Sequence, residues 1–233
     1  MPVPQPDALV FDVLGTLVDE PAGIRSGIRA FAPALDDAAT ERLLALWQRH
    51  IGREQGRIAE GGPYRDSAAL DREAARQVAD AVGAGGDGSG GAAAVEALAR
   101  SARRLPPWPD TRDGLARLAE RFPLVGLSNA SRSALLELNA YAGLRWHLAL
   151  SAEDARAYKP SPEVYRLAVE ASGRPPERLL MVAAHAWDLR GAQSLGMRTA
   201  YVRRPVGDPP APSDRFDLYA EGLADLADQL DRA

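Results

Sequence analysis

Of the 28 basic residues in this 233-residue chain, a single one, Lys159, is a lysine and the rest are arginines. A lysine ammonium is a compact charge on a flexible stem that fits between two carboxylates in a tight cleft, where the broad guanidinium fork of arginine would not. The chain offers two acids placed to be such partners. Asp12 ends the apolar run Ala8–Phe11, and Asp188 closes the segment Val182-Ala-Ala-His-Ala-Trp-Asp188 behind a second apolar run. Ser128 and Asn129 follow a third run, and Thr16 lies four residues after Asp12. Two carboxylates in a partly dry cleft repel, so one tends to protonate. A cation about 4 Å away contributes on the order of 4 kcal/mol per pair at an effective dielectric near 20, which would keep both ionised. Asp12 could then act as a nucleophile, with Asp188 orienting or activating water.

These groups converge only if the elements behind them form one sheet. Five short apolar runs read as buried strands: Ala8–Phe11, Leu124–Leu127, His147–Leu150, Leu179–Val182 and Thr199–Val202. From residue 105 they alternate with helical segments at 112–120, at 161–171 and at 188–195. The second opens with Ser161 as N-cap and Pro162 at the first helical position, and the third stops at Gly196. Alternation of helices with continuously apolar strands predicts a parallel sheet covered on both faces. Ligands bind such sheets at the carboxyl ends of the strands, which is where Asp12, Ser128, Asn129, Lys159 and Asp188 fall. Residues 24–104 show helical periodicity without a strand, with Leu43, Trp47 and Ile51 spaced at i, i+4, i+8, followed by Ala75, Val78 and Val82. The Gly-rich stretch 83–91 follows a helix and lacks a Gly-Lys-Ser/Thr ending, so it reads as a flexible turn rather than a phosphate loop. The expected organisation is an α/β core from 1–20 and 105–233, with a helical cap from 21–104.

Composition narrows the function class. An apolar content of 46%, a charged content of 26% and a net charge of −4 fit an enzyme-sized globular protein and give no basic footprint for nucleic acid. The absence of cysteine removes disulfides, thiolate metal sites and thiol nucleophiles, and the three histidines are too scattered for a zinc cluster. No signal-like start or membrane-length apolar run is present, so the expectation is a cytoplasmic protein without membrane partners.

Four segments in order, Phe11-Asp12-Val-Leu-Gly-Thr16-Leu17, Leu127-Ser128-Asn129, Tyr158-Lys159-Pro160 and Val182–Asp188, make the chain resemble the haloacid dehalogenase superfamily over nearly its whole length. The resemblance implies a Rossmann-like core, a helical cap and a covalent ester on Asp12. Thr16 and Ser128 would orient the nucleophile, and Lys159 and Asp188 would complete the site. Phosphatases of that superfamily usually carry a second aspartate two residues after the nucleophile, where this chain has Leu14, and further acids in the fourth motif, where Asp188 stands alone. Halide leaves without protonation, so carbon–halogen chemistry needs neither the missing acid nor a metal. The L-2-haloacid dehalogenase subgroup also shares Tyr158 through Tyr165 (Tyr-Lys-Pro-x-Pro-x-x-Tyr) and Ala186-Trp187-Asp188.

The chain departs from that subgroup at Leu14 (usually tyrosine), Ala183 (serine), His185 (asparagine) and Trp47-Gln48-Arg49 (Trp-Arg). The last change moves the cap charge about 100° around its helix. The leading expectation is a hydrolase that releases halide from a small anionic 2-haloacid without cofactor, with altered substrate preference. Leu14, Arg49, Tyr165, His185 and Trp187 would shape the substrate pocket beside Asn129. One alternative is a magnesium-dependent phosphatase in which Asp12 and Asp188 hold the ion. A second is a weakly catalytic binding protein on the same scaffold. Exposed Trp and Leu on the cap helices could serve a homodimer.

Overall fold

The computed structural model describes residues 5–84 and 89–232. Six strands form one sheet: β1 (Ala8–Phe11), β2 (Leu124–Ser128), β3 (Leu148–Ser151), β4 (Leu179–Ala183), β5 (Arg198–Val202) and β6 (Leu218–Ala220). Their order is β3-β2-β1-β4-β5-β6, and every pairing is parallel. The sheet is thus the expected doubly covered α/β core, with ends shifted by a residue or so. The third strand begins at Leu148, one residue after His147, whose ring accepts the Leu124 N–H at 2.9 Å. Strand β6 escaped the sequence reading. Its three residues include one buried position, too short a run to stand out from loop.

Alternation within β1 explains the two-sided cover. Leu9 and Phe11 join one apolar cluster, Ala8 and Val10 the other, and all four are essentially fully buried. The first cluster contains buried residues of α5 (Thr111–Ala119), α6 (Arg132–Ala142) and α9 (Leu223–Asp231). The second contains those of α7 (Pro162–Ser172) and α8 (Ala186–Ser194). Ser161 precedes α7 with Pro162 at its first position, and Gly196 adopts φ +86° just beyond α8, as residues that stop a helix commonly do.

Between β1 and α5 the chain runs through α1 (Glu20–Phe31), α2 (Asp37–Ala59), α3 (Ser67–Ala81) and α4 (Ser89–Ala99), then a 3₁₀ turn at Arg100–Arg103. Asp19, Asp36 and Asp66 cap the first three by accepting the backbone N–H of Ala22, Ala39 and Ala69. Residues 85–88 of the Gly-rich turn lie outside the described residues. The cap aromatic and leucines expected at a dimer face are buried instead: Trp47, Leu43 and Leu44 belong to the main apolar cluster. They point inward because the i, i+4 spacing that marks them as a stripe also marks the packed face of α2. Among the described residues the large exposed apolar side chains are Leu136, Tyr141, Leu148 and Tyr219, on α6, β3 and β6. Among the described residues no helix is long and apolar enough to cross a membrane.

Candidate active site

The carboxyl ends of four adjacent strands, β3, β2, β1 and β4, bring the chemistry-bearing residues together. Asp12 leaves β1 with its N–H bonded to the Val182 carbonyl at 3.0 Å, which fixes the nucleophile candidate to β4. The Lys159 Nζ donates to Asp12 Oδ1 and to Asp188 Oδ2, both at 2.8 Å. Thr16 Oγ1 donates to Asp12 Oδ2 at 2.6 Å and accepts the Ala184 N–H at 2.9 Å, so one hydroxyl ties the acid to the loop after β4. The Asn129 Oδ1 accepts the Lys159 backbone N–H at 2.9 Å and thereby holds the lysine loop against β2. Lys159 and Pro160 are joined by a cis peptide bond.

Access separates the two acids. The Asp12 side chain is 8% exposed, whereas Asp188 is 0% and Lys159 1%. Asp12 is the acid a small molecule can reach. Asp188 has both oxygens engaged, Oδ2 by Lys159 and Oδ1 by the Tyr165 hydroxyl at 2.7 Å. In the structure Asp188 anchors the lysine, with one donor on each carboxylate oxygen and no solvent exposure.

Burial works against the Lys159 charge, but Asp12 and Asp188 more than offset it and hold the ammonium above the usual lysine range. Burial also pushes the Asp188 carboxyl above its ordinary value, with Lys159 opposing and Asp12 adding to the rise. Since each contact to the Asp188 carboxylate comes from a donor, the arrangement is built for its ionised form. Burial raises the Tyr165 hydroxyl, and the neighbouring Asp188 charge raises it further, so it stays a donor.

Other expected site residues sit differently from their sequence reading. Ser128 is buried, and its Oγ accepts the Ala130 N–H at 3.1 Å, which shapes the turn carrying Asn129 rather than touching Asp12. Tyr165 does not line a substrate pocket. It is fully buried behind Asp188, against Gly191, where an added Cβ would stand 2.4 Å from its hydroxyl. Arg49 is exposed and makes no hydrogen bond or ion pair among the described residues. The reason is helical phase: Trp47 is buried, and two residues further round is about 200° away. His185 Nε2 lies 3.2 Å from the Leu14 carbonyl oxygen, and its ring packs on Trp187 at 5.6 Å between centroids, both residues being half-buried. Gly15, at φ +79°, makes room for that imidazole, since a Cβ there would meet Nε2 at 2.5 Å.

A small cavity of about 40 Å³ lies between the residues that follow β1 and β2 and the helices of the first hundred residues. Leu14 and Asn129 line it from the sheet side, and Glu20, Gln55 and Asp71 from the helices. The sequence reading missed these last three. Asp71 did leave a signal, being three, four and seven residues before Ala74, Ala75 and Val78 and so on the buried side of α3. Burial raises the carboxyl of Glu20, and it raises that of Asp71 well above the ordinary range, with Glu20 adding to the rise at Asp71.

Magnesium prefers near-octahedral oxygen coordination and retains several waters. The described residues contain no group of three or more His, Cys, Asp or Glu side chains able to hold a metal. Asp188 is closed to water, and the Lys159 ammonium already bridges the two acids. The donor set does not fit the ion.

A family model for haloacid dehalogenase-like hydrolases matches residues 6–196. The chain belongs to this family. It is 31% identical over 199 residues to an (S)-2-haloacid dehalogenase of Xanthobacter autotrophicus, covering 84% of this chain and 75% of that one. A crystal structure of an L-2-haloacid dehalogenase superposes with a TM-score of 0.86 at 30% identity, covering 97% of this chain and 99% of the other. The Xanthobacter autotrophicus L-2-haloacid dehalogenase with chloropropionic acid covalently bound superposes with a TM-score of 0.82 at 26% identity, covering 97% and 99%.

Proposed function

We propose that this hydrolase cleaves the carbon–halogen bond of a small 2-haloacid through an ester on Asp12, without a metal. The observation that carries the reading is the Asp12 carboxylate. One oxygen is held by an ammonium and the other by a hydroxyl, the group keeps some exposure, and the residue two positions later, Leu14, can neither give nor take a proton. An Asp12 oxygen attacks the carbon bearing the halogen, the carbon–halogen bond breaks with inversion, and halide leaves as the anion with no proton needed. Whichever oxygen forms the ester, the other remains on a donor.

Water then adds to the Asp12 carboxyl carbon. The oxyanion that develops is stabilised by Lys159 or Thr16, and the carbon–oxygen bond to Asp12 breaks to give the hydroxy product, a free carboxylate and a proton. Preorganised donors of this kind each contribute roughly 10²–10³ in rate. The relatives named as 2-haloacid dehalogenases, one with chloropropionic acid covalently bound, support this chemistry over phosphoryl transfer. The intact charged triad supports an enzyme over a binding protein.

Turnover in ¹⁸O-labelled water tests the proposal. Solvent oxygen should enter Asp12 over repeated cycles, read by mass spectrometry of the peptide that contains it. Steady halide release with unlabelled Asp12 would mean that water attacks the substrate directly, and the ester route would be wrong.

A further inference from the structure

We infer that Arg204 and Trp108 are positioning residues for the Asp12 nucleophile, acting together on the backbone of the turn that follows it. The inference rests on the dehalogenase reading above only for its rate assay.

Inside that turn the Gly15 N–H bonds the Val18 carbonyl at 3.1 Å, and the Leu17 N–H bonds the Val13 carbonyl at 3.0 Å. The four successive carbonyls of Leu14, Gly15, Thr16 and Leu17 instead meet donors from distant parts of the chain. His185 Nε2 stands 3.2 Å from the first, and Trp108 Nε1 donates to the second at 3.0 Å. Arg204 Nε donates to the Thr16 carbonyl at 2.8 Å, and Thr111 Oγ1 donates to that of Leu17 at 2.7 Å. Trp108 and Thr111 lie at or just before the start of α5, His185 just after β4 and Arg204 just after β5.

Buried carbonyls need donors, and a neutral group would be enough for each. Arg204 goes beyond that need. Its side chain is only 6% exposed, and both Asp110 oxygens hold its Nη1, at 2.8 and 3.0 Å. Its Nη2 is buried without a hydrogen bond among the described residues. Burying a charge and leaving one of its nitrogens unsatisfied works against stability. What the arrangement provides is a rigid fork, fixed to Asp110 on one side and to Thr16 on the other. Trp108 completes it, with its ring centroid 6.0 Å from the guanidinium carbon and its N–H on the preceding carbonyl. Together the two side chains fix the peptide planes on both sides of Thr16. The Thr16 hydroxyl in turn donates to Asp12 Oδ2 at 2.6 Å and accepts the Ala184 N–H at 2.9 Å. A displacement of about 1 Å at such a group can cost on the order of 10² in rate.

A groove of about 680 Å³, lined by Trp108, Asp110 and Arg204 among others, opens beside this clamp and admits a small cation in place of the side chain. Halide release from (S)-2-chloropropionate is measured for the wild type, Arg204→Ala, Trp108→Phe and Thr16→Val, and for each clamp variant combined with Thr16→Val. Arg204→Ala should lower kcat about 10–100-fold with KM changed less than about threefold. Millimolar ethylguanidinium should restore about fivefold or more, where ethylammonium does not. Trp108→Phe, which removes no charge, should lower kcat about three- to tenfold. In the Thr16→Val background neither change should cost more than about twofold, since the clamp acts through the hydroxyl that valine lacks. Losses that multiply with that of Thr16→Val would overturn the inference, whatever the rescue. Should Arg204→Ala not fold, the Trp108→Phe cycle decides alone. Hydrogen exchange over residues 12–19 reads the clamp without turnover. It should speed up in both clamp variants while β2 stays protected, and unchanged exchange over the turn would refute the inference. Absence of halide from the wild type would count against the dehalogenase reading, with the exchange measurement still deciding the clamp.

Discussion

Replacing Lys159 separates what its charge does from what its shape does. At 2.8 Å, each of its two contacts corresponds to about 6 kcal/mol of attraction at an effective dielectric near 20, most of it offset by the desolvation of three buried charges. Breaking such a pair by removing one partner costs about 3–5 kcal/mol, because the remaining charge is left buried and uncompensated. Lys159→Met should therefore lose about 3–5 kcal/mol of stability near pH 8, and at least about 10³ in kcat through loss of the donor on Asp12. The stability loss should shrink in acid, and the sign follows from Asp188. Burial already raises its folded pKa and Lys159 opposes the rise, so methionine raises it further. A carboxyl with a raised folded pKa contributes stability that is present below the unfolded value near 4 and lost as pH climbs through the folded value. The variant should thus approach the wild type near pH 4 and fall away toward pH 8.

Lys159→Arg keeps the charge but forces a larger head into a place where the lysine side chain is only 1% exposed. Overpacking of this kind costs about 1–3 kcal/mol. Its stability deficit should be flat between pH 4 and 8, with kcat reduced about 10² through displaced donors. Urea unfolding followed by circular dichroism at several pH values, beside a halide-release assay, reads both. An arginine variant with wild-type kcat, together with a methionine variant whose stability deficit does not vary with pH, would refute the idea that a compact cation between two acids organises this site.

Two further substitutions test the reassigned residues. Tyr165→Phe removes the donor to Asp188 Oδ1 without changing the pocket, so kcat should fall several-fold with KM little altered, and stability should drop by about 1–3 kcal/mol for the unsatisfied buried acceptor. A rise in KM alone would return Tyr165 to the substrate. Arg49→Ala should leave kcat, KM and stability within about 0.5 kcal/mol of wild type, as for surface changes without partners; a large KM effect in the same halide-release assay would show that the exposed guanidinium reaches the substrate after all.

The strand-end chemistry was written in the linear order of residues. Asp12, Ser128, Lys159 and Asp188 each follow an apolar run or its adjoining loop, and parallel strands align their carboxyl ends, so convergence could be read before any fold was known. The lone lysine named the cation because only its head fits between two acids. What residue order could not decide was which side chains have access. Asp12 and Asp188 look alike in sequence, yet one is reachable and the other sealed, because Tyr165 of α7 packs against Asp188 on α8. Arg49 and Tyr165 were assigned by residue type, but their surroundings depend on how helices of different parts of the chain pack, which spacing along one helix does not specify. Glu20 and Asp71 lie fifty residues apart and meet only when α1 and α3 are brought to the same cavity. Each is half-buried, and burial raises both carboxyls only once the fold has brought the two helices together.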